Sequence, residues 1–202
     1  MLIRTLEAVF EGKTPKISKQ WVPMSQISPN MVKAVVASED NLFMKHHGFS
    51  FKSMRKAWEH NKRGKRIRGG STISQQTAKN VFLWPQRSYL RKGLEAYFTV
   101  LIELFWSKER IMVVYLNAIE MGPGIYGVQA AAKEHFGKDA LKLSKGQAAL
   151  IAGSLPNPRR FIAGKPSSYM LRRQRQIMSL MNKIGRIEFI QPEKNSGKKS
   201  GK

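Results

Sequence analysis

The chain contains no cysteine. Disulfides and cysteine metal sites are therefore excluded, and the composition suits an oxidising compartment. Acidic residues are scarce: 13 Asp+Glu stand against 36 Lys+Arg, a formal charge of +23. Such an excess calls for a polyanionic partner, either nucleic acid or an anionic membrane surface. Zinc-finger, homeodomain and RNA-recognition signatures are missing and the bases are spread along the chain, which argues against nucleic acid. Long hydrophobic runs are missing too. The most apolar stretch, 100–106, is far too short to span a bilayer, and no segment has the plan of a signal peptide. Alternating strand patterns are almost absent, and there is no internal repeat.

What is present is helical punctuation. The 202 residues suffice for one compact domain with two lobes. Residues 1–20 are weakly patterned and basic, and suit a stalk leaving a membrane. Residues 21–190 form the domain, and 191–202 are a Lys/Gly/Ser/Asn tail expected to be disordered. Ser28-Pro29 starts a helix that ends at Glu39-Asp40. A second covers 50–62, with Phe51, Met54, Ala57 and Trp58 on one side. Five Lys/Arg within 62–70 make a mobile basic loop, mostly a solvated charge run. Helices follow over 73–83, 88–106, 107–117, 126–136, 144–154 and 167–184, the last with Gly185 as its C-cap. The 88–106 helix carries the stripe Leu90, Leu94, Tyr97, Phe98, Leu101, Leu104 and Phe105, so it reads as the central core helix. Gly122-Pro123-Gly124 reads as a turn-rich loop. The fold class is mainly α.

Two segments bear on chemistry. Gly69-Gly70-Ser71-Thr72-Ile73-Ser74-Gln75-Gln76-Thr77-Ala78-Lys79-Asn80 runs from a glycine hinge into a capping-box helix start. Gln75 and Lys79 lie four apart on one helix face. A free helix N-terminus with a lysine one turn in can seat a phosphate; an ordinary N-cap with a solvated Gln/Lys face explains the pattern equally well. Glu39-Asp40-Asn41-Leu42-Phe43-Met44-Lys45-His46-His47-Gly48 brings two carboxylates together at a helix end. A like charge raises a carboxyl pKa, although most such pairs are merely solvated. Arg91 and Glu95 are an i, i+4 pair, which alone reads as a helix salt bridge.

Together the blocks E-D-x-x-F-x-x-H-x-G and G-x-S-T-I-x-Q-Q-x-x-K-N resemble the signature pair of the family 51 peptidoglycan glycosyltransferases. Three more blocks fit in the same order. They are Arg91-Lys92 with Glu95, Tyr115-Leu116-Asn117 with Gly122 and Gly127, and Leu150-Ile151-Ala152-Gly153 leading to Pro156-Asn157-Pro158. The resemblance covers roughly residues 7 to 187 and is closest to the monofunctional biosynthetic type. It implies a lysozyme-like helical head lobe with a smaller, membrane-facing jaw lobe. It implies polymerisation of lipid II into β-1,4 glycan strands, with inversion and release of undecaprenyl pyrophosphate.

The resemblance also assigns roles. Glu39 is the general base and Glu95 the second carboxylate, either holding a divalent cation (Mg2+ or Mn2+) or organising the cations around the diphosphate. No organic cofactor is implied. Lys79, Arg87 and Arg91 are pyrophosphate ligands, and Asp40, Ser71, Thr72, Gln75, Gln76 and Asn80 shape the same pocket. Phe43 is core, His46 makes a structural hydrogen bond, and His47 has no role. Phe82, Leu83 and Trp84, with Tyr89, form an apolar lip entering the bilayer interface, where Trp and Tyr are favoured. The partners implied are lipid II, the lipid-linked strand, an anionic membrane surface, and cell-wall synthesis and division proteins, with no nucleic acid. The place implied is the periplasmic side of the bacterial inner membrane, behind a single N-terminal anchor that this sequence does not show. Two features depart from the family's pattern: Val113 stands where an acidic residue is common, with Glu109 nearby, and the 120–124 loop lacks aromatics.

A lytic enzyme acting on the same polymer shares the helical class and the paired carboxylates. It leaves Lys79, Arg87 and Arg91 unexplained, because a neutral glycan has no departing diphosphate. A basic binding protein explains the charge but not the five blocks.

Overall fold

The computed structural model describes residues 17–62, 64, 70–86, 88–185 and 187–189. The expected stalk, most of the basic loop, Arg87 and the tail lie largely or wholly outside the described residues. The elements are β1 (Ser18–Lys19), α1 (Pro29–Glu39), α2 (Phe51–Lys62), α3 (Ile73–Phe82), α4 (Tyr89–Phe105) and α5 (Lys108–Ala118). They continue with β2 (Glu120–Gly122), β3 (Ile125–Tyr126), α6 (Val128–Phe136), α7 (Lys145–Ser154) and α8 (Ser168–Lys183). The domain is mainly helical, as expected. A small sheet in the order β1-β3-β2 pairs β3 parallel with β1 and antiparallel with β2.

The helix starts have a common cause. Ser28, Thr72, Ser88, Ser107, Ser144 and Ser167 each accept a backbone N–H of the first turn through the side-chain oxygen. Each satisfies a donor that a helix N-terminus leaves orphaned. Ser28 also donates to the Leu143 carbonyl at 3.0 Å, tying α1 to the loop before α7. The core lies among α1, α5, α6, α7 and α8. Met31, Val35, Ile111, Leu116, Ala131, Ala148, Ile151 and Ile177 are all fully enclosed. Alanines on α7 let it approach α1 and α8 closely. α1 packs against α7 and α8, while α3 lies between α4 and α5.

The turn expected at Gly122-Pro123-Gly124 is present: Pro123-Gly124 closes the β2–β3 hairpin, with Gly122 itself in β2. Three expectations are corrected. α6 starts at Val128, two residues late, because Tyr126 belongs to β3 and Gly127 turns the chain at φ 84°. A Cβ at Gly127 would meet the Asn117 carbonyl oxygen at 2.8 Å, so only glycine fits. Gly185 is not a left-handed cap: α8 ends on Ile184 in extended backbone, φ −92° and ψ 126°. The largest correction concerns α4, most of whose apolar stripe is exposed, with only Leu94, Phe98 and Leu101 half-buried. Leu104 is 71% and Phe105 74% exposed, whereas Arg91, Glu95, Thr99 and Ile102 are buried. α4 is therefore not the central core helix. Phe51, Met54 and Trp58 of α2 are exposed as well.

One buried amide holds the segment before α1 against the core. Asn117 donates to the carbonyls of Val22 at 2.9 Å and Val113 at 2.8 Å, and accepts from the Val22 N–H at 2.9 Å. Asn117→Ala strands both polar groups of Val22. We expect a loss of about 2–4 kcal/mol, read as a melting temperature lower by roughly 5–10 °C. A change within about 2 °C would show that the pairing carries no such weight.

Candidate functional site

The site begins where α1 ends. Glu39 is the last residue of α1 and Asp40 its cap. Val35 and Val36 on the preceding turn are fully buried, which carries the helix end into the protein. Glu39 keeps an opening to solvent, yet protein walls in most of its carboxyl. Burial is the main cause that raises its pKa above the ordinary glutamate range, and the Asp40 charge adds a smaller push. The Gln76 hydrogen bond and the charges of Arg173 and Lys79 act in the opposite direction. The expected result holds, but the neighbouring carboxylate is not its principal cause.

Asp40 is occupied with structure. Its Oδ2 accepts from His46 Nε2 at 2.8 Å and from the backbone N–H of Ile73, the first residue of α3, at 3.1 Å. His46 therefore makes the structural hydrogen bond expected of it. The Lys108 ammonium donates to the His46 carbonyl at 2.6 Å and pairs with Glu103 at 2.8 Å. Phe43 is fully buried beneath this group, and His47 is exposed.

The N-terminus of α3 is closed by protein groups. Thr72 Oγ1 accepts from Gln75 N–H at 3.2 Å, and Gln75 Oε1 accepts from Thr72 N–H at 3.0 Å. With the Asp40 carboxylate on Ile73 N–H, the ordinary N-cap is the one of the two readings that these contacts favour. Thr72 and Gln75 are buried in this capping box. Thr72 Oγ1 also donates to the Gly48 carbonyl at 2.6 Å. Gly48 has φ 83°, and a Cβ there would lie 2.8 Å from Thr99 Cγ2, which explains the glycine of the first motif. Ser71 is exposed, and Asn80, also exposed, donates back to the Gln76 carbonyl at 2.8 Å.

One turn along α3, Gln76 faces the base. Its Nε2 donates to Glu39 Oε2 at 3.1 Å, and its Oε1 accepts from the Tyr115 hydroxyl at 3.3 Å. Lys79 is half-buried on the next turn and its charge reaches Glu39. Arg173 approaches from α8 and acts on Glu39 more strongly than Lys79. Sequence reasoning missed Arg173, Tyr115 as a partner of the site, and the Glu103–Lys108 pair. The basic amphipathic pattern of α8 was the only signal for Arg173.

On α4, Glu95 is buried between Arg91 Nη1 at 3.4 Å and the Lys92 ammonium, a double ion pair. Arg91 is buried too, and its Nε has no hydrogen-bond partner among the described residues. The salt-bridge reading of Arg91 and Glu95 is thus correct as far as contacts go. No group of three His, Asp or Glu able to hold a metal occurs among the described residues. With two cations already on Glu95, this donor set does not fit a divalent ion. The apolar lip is partly packed: Phe82 stacks on Phe98 with centroids 4.8 Å apart, and Trp106 lies 6.2 Å away. Trp84 is exposed, Leu83 half-buried and Tyr89 wholly exposed. The larger of the two surface cavities described, about 620 Å³, lies at the start of α8 between Arg160 and Arg172 and contains none of these residues.

This geometry is matched by sequence. A family model described as transglycosylase matches residues 7–182. The chain belongs to the transglycosylase family. It is 58% identical over 191 residues to a biosynthetic peptidoglycan transglycosylase of Bacteroides thetaiotaomicron, covering 95% of this chain and 77% of that one. The corresponding protein of Bdellovibrio bacteriovorus is 55% identical over 179 residues, covering 89% and 72%. That of Pseudomonas syringae pv. syringae is 50% identical over 191 residues, covering 95% and 81%.

The electrostatics of the transglycosylase's Glu39 give a stability test. A carboxyl raised in the folded state binds its proton more tightly there than in the unfolded chain. Its contribution is present below the ordinary glutamate value and is lost as pH rises through the raised one. Glu39→Gln should therefore melt higher than the parent near neutral pH, with the gap closing as pH falls through that window. A gap independent of pH would show that Glu39 is not buried at a cost.

Proposed function

We propose that this transglycosylase polymerises lipid II. The observation that carries the reading is Glu39: a carboxyl whose pKa is raised by burial, held by Gln76 and faced by Lys79 and Arg173. A base with a raised pKa is better matched to abstracting a hydroxyl proton near neutral pH. Glu39 takes the proton of the acceptor's N-acetylglucosamine 4-hydroxyl. That oxygen bonds to the anomeric carbon of the lipid-linked strand as the bond from carbon to phosphate oxygen breaks on the opposite face. The product is a β-1,4 linkage, and undecaprenyl pyrophosphate departs with the electron pair. The logic is that of an inverting glycosidase with a sugar hydroxyl in place of water.

A departing diphosphate needs cations rather than an acid. Lys79 and Arg173 stand beside the base, and Arg91 with Lys92 forms a second cationic group on α4. The unpartnered Nε of Arg91 is a donor that a phosphate oxygen would satisfy. Arg87 joins this set on the family resemblance. The lytic alternative needs a proton donor for a neutral leaving sugar, and Glu95, held in two ion pairs, is not presented as one. No step is routed through a metal.

The outer faces of α4 and α2 supply the membrane contact. Tyr89 is 99%, Leu90 70% and Phe51 78% exposed, and Tyr97, Leu104, Phe105 and Trp58 join them. Exposed large apolar side chains in this number mark an interaction site. With a chain charge of +23 beside it, an anionic bilayer is the fitting surface. On this reading the domain works on the periplasmic side of the inner membrane, with the apolar face in the interface and α3 and α4 leading the lipid diphosphate toward Glu39. No helix among the described residues is long and apolar enough to cross the membrane.

Glu39→Gln should lower the polymerisation rate by about 10²–10⁴-fold with the fold intact. Gel analysis of glycan products from lipid II reads this, and parent-like strands from the variant would overturn the assignment. For the membrane face, Leu104→Ser combined with Phe105→Ser should reduce binding to phosphatidylglycerol vesicles several-fold. Both side chains are exposed, so stability should change by less than about 1 kcal/mol. Unchanged vesicle binding would place the membrane contact elsewhere.

A further inference from the structure

We infer that Tyr115 is a positioning residue: its hydroxyl fixes the Gln76 amide in the orientation that favours the ionised, base-competent form of Glu39. This rests on Glu39 being the base of the proposed reaction. An ionised carboxylate only accepts hydrogen bonds, so Gln76 must present its Nε2 to Oε2, as it does at 3.1 Å. The amide oxygen then points the other way, where the Tyr115 hydroxyl donates to it at 3.3 Å. A flipped amide would set its oxygen on Glu39, which is tolerable only when Glu39 is protonated. The flip would also leave the Tyr115 O–H without an acceptor, because Gln76 is its hydrogen-bond partner among the described residues. A buried donor without an acceptor is costly, so the phenol biases the amide and through it the proton on Glu39.

The surroundings make Tyr115 suited to this. It is 1% exposed, sits on α5 within the core, and its ring cannot swing away. Burial, with the charges of Glu39 and Asp40, holds its own pKa well above the usual phenol range. It stays a neutral donor throughout the range in which Glu39 titrates. The other groups facing Glu39 are Arg173 from α8, Lys79 from α3 and the adjoining Asp40. None of them makes a described hydrogen bond to Gln76, so Tyr115 is the group that orients the amide.

The test is the pH dependence of kcat/KM for lipid II polymerisation. In Tyr115→Phe, which keeps the ring in the core, the acid limb should move up by about 0.5–1 pH unit, with the high-pH plateau retained. Gln76→Met removes the same relay from its partly buried end. It should shift the limb at least as far, and the double variant no further. A merely structural Tyr115 would lower the plateau and leave the limb in place, and that result overturns the inference. A shift in Gln76→Met but not in Tyr115→Phe also overturns it, leaving Gln76 acting alone. A wild-type protein that polymerises nothing at any pH fails the functional reading itself, whereas a normal wild-type profile with an immobile limb fails only the relay.

Discussion

The architecture of the site hangs on one carboxylate, that of Asp40. By accepting from the N–H of Ile73, it joins the end of α1 to the start of α3 across 33 residues of sequence. A helix N-terminus carries partial positive charge and unsatisfied donors, so a buried carboxylate is stable there. Once the two helix ends are joined, the remaining contacts follow. Thr72 reaches the Gly48 carbonyl, the capping box sets the first turn of α3, and Gln76 arrives opposite Glu39 on the next turn. His46, held on the same Asp40 oxygen, and Lys108, bonded to the His46 carbonyl, tie the loop between the helices to α4 and α5.

α4 inverts the usual arrangement. Its charged side, Arg91 and Glu95, is buried toward the protein, while Leu90, Tyr97, Leu104 and Phe105 face outward. Burying an ion pair is tolerable only when both partners stay satisfied, and Glu95 has two cations. Exposing an apolar face is tolerable only if something covers it. Both peculiarities fit the proposed reading, in which the exposed apolar side chains meet a bilayer and the cations of α4 serve the lipid's diphosphate.

Much of this was legible in the sequence, because caps are local. Ser28, Thr72, Ser88, Ser107, Ser144 and Ser167 announce their helices through contacts within three residues, and the helix starts there were placed correctly or within one residue. Gly185 failed as a cap because a glycine permits the left-handed turn without requiring it. The burial of α4 failed for a different reason. A periodic stripe tells which residues share a face, but not whether that face meets protein or lipid, since both are apolar. Between a phosphate seat and an ordinary N-cap at α3 the sequence does not choose, because the ligand that occupies the Ile73 N–H, Asp40, is distant in sequence. Arg173 and Tyr115 were out of reach as site residues: α8 and α5 are brought to Glu39 only by core packing, and no local pattern encodes that.

The origin of the raised Glu39 pKa shows the same separation between sequence proximity and physical coupling. Asp40 is the nearest charge along the chain, yet it pushes on Glu39 less than burial does. Its own charge is compensated by the His46 ring and by the positive end of α3. A carboxylate neutralised in this way is a poor source of repulsion. It follows that the two members of the Glu-Asp pair have divided tasks. Asp40 joins two helices through its hydrogen bonds, and Glu39 is kept dehydrated so that ionisation is costly and its proton affinity high. Had Asp40 been left solvated, the joint would be weak. Had Glu39 been given a backbone N–H and an imidazole donor like Asp40, it would be too weak a base for a sugar hydroxyl. The single amide of Gln76 is an intermediate arrangement: it holds the carboxylate in place without removing the basicity that burial confers.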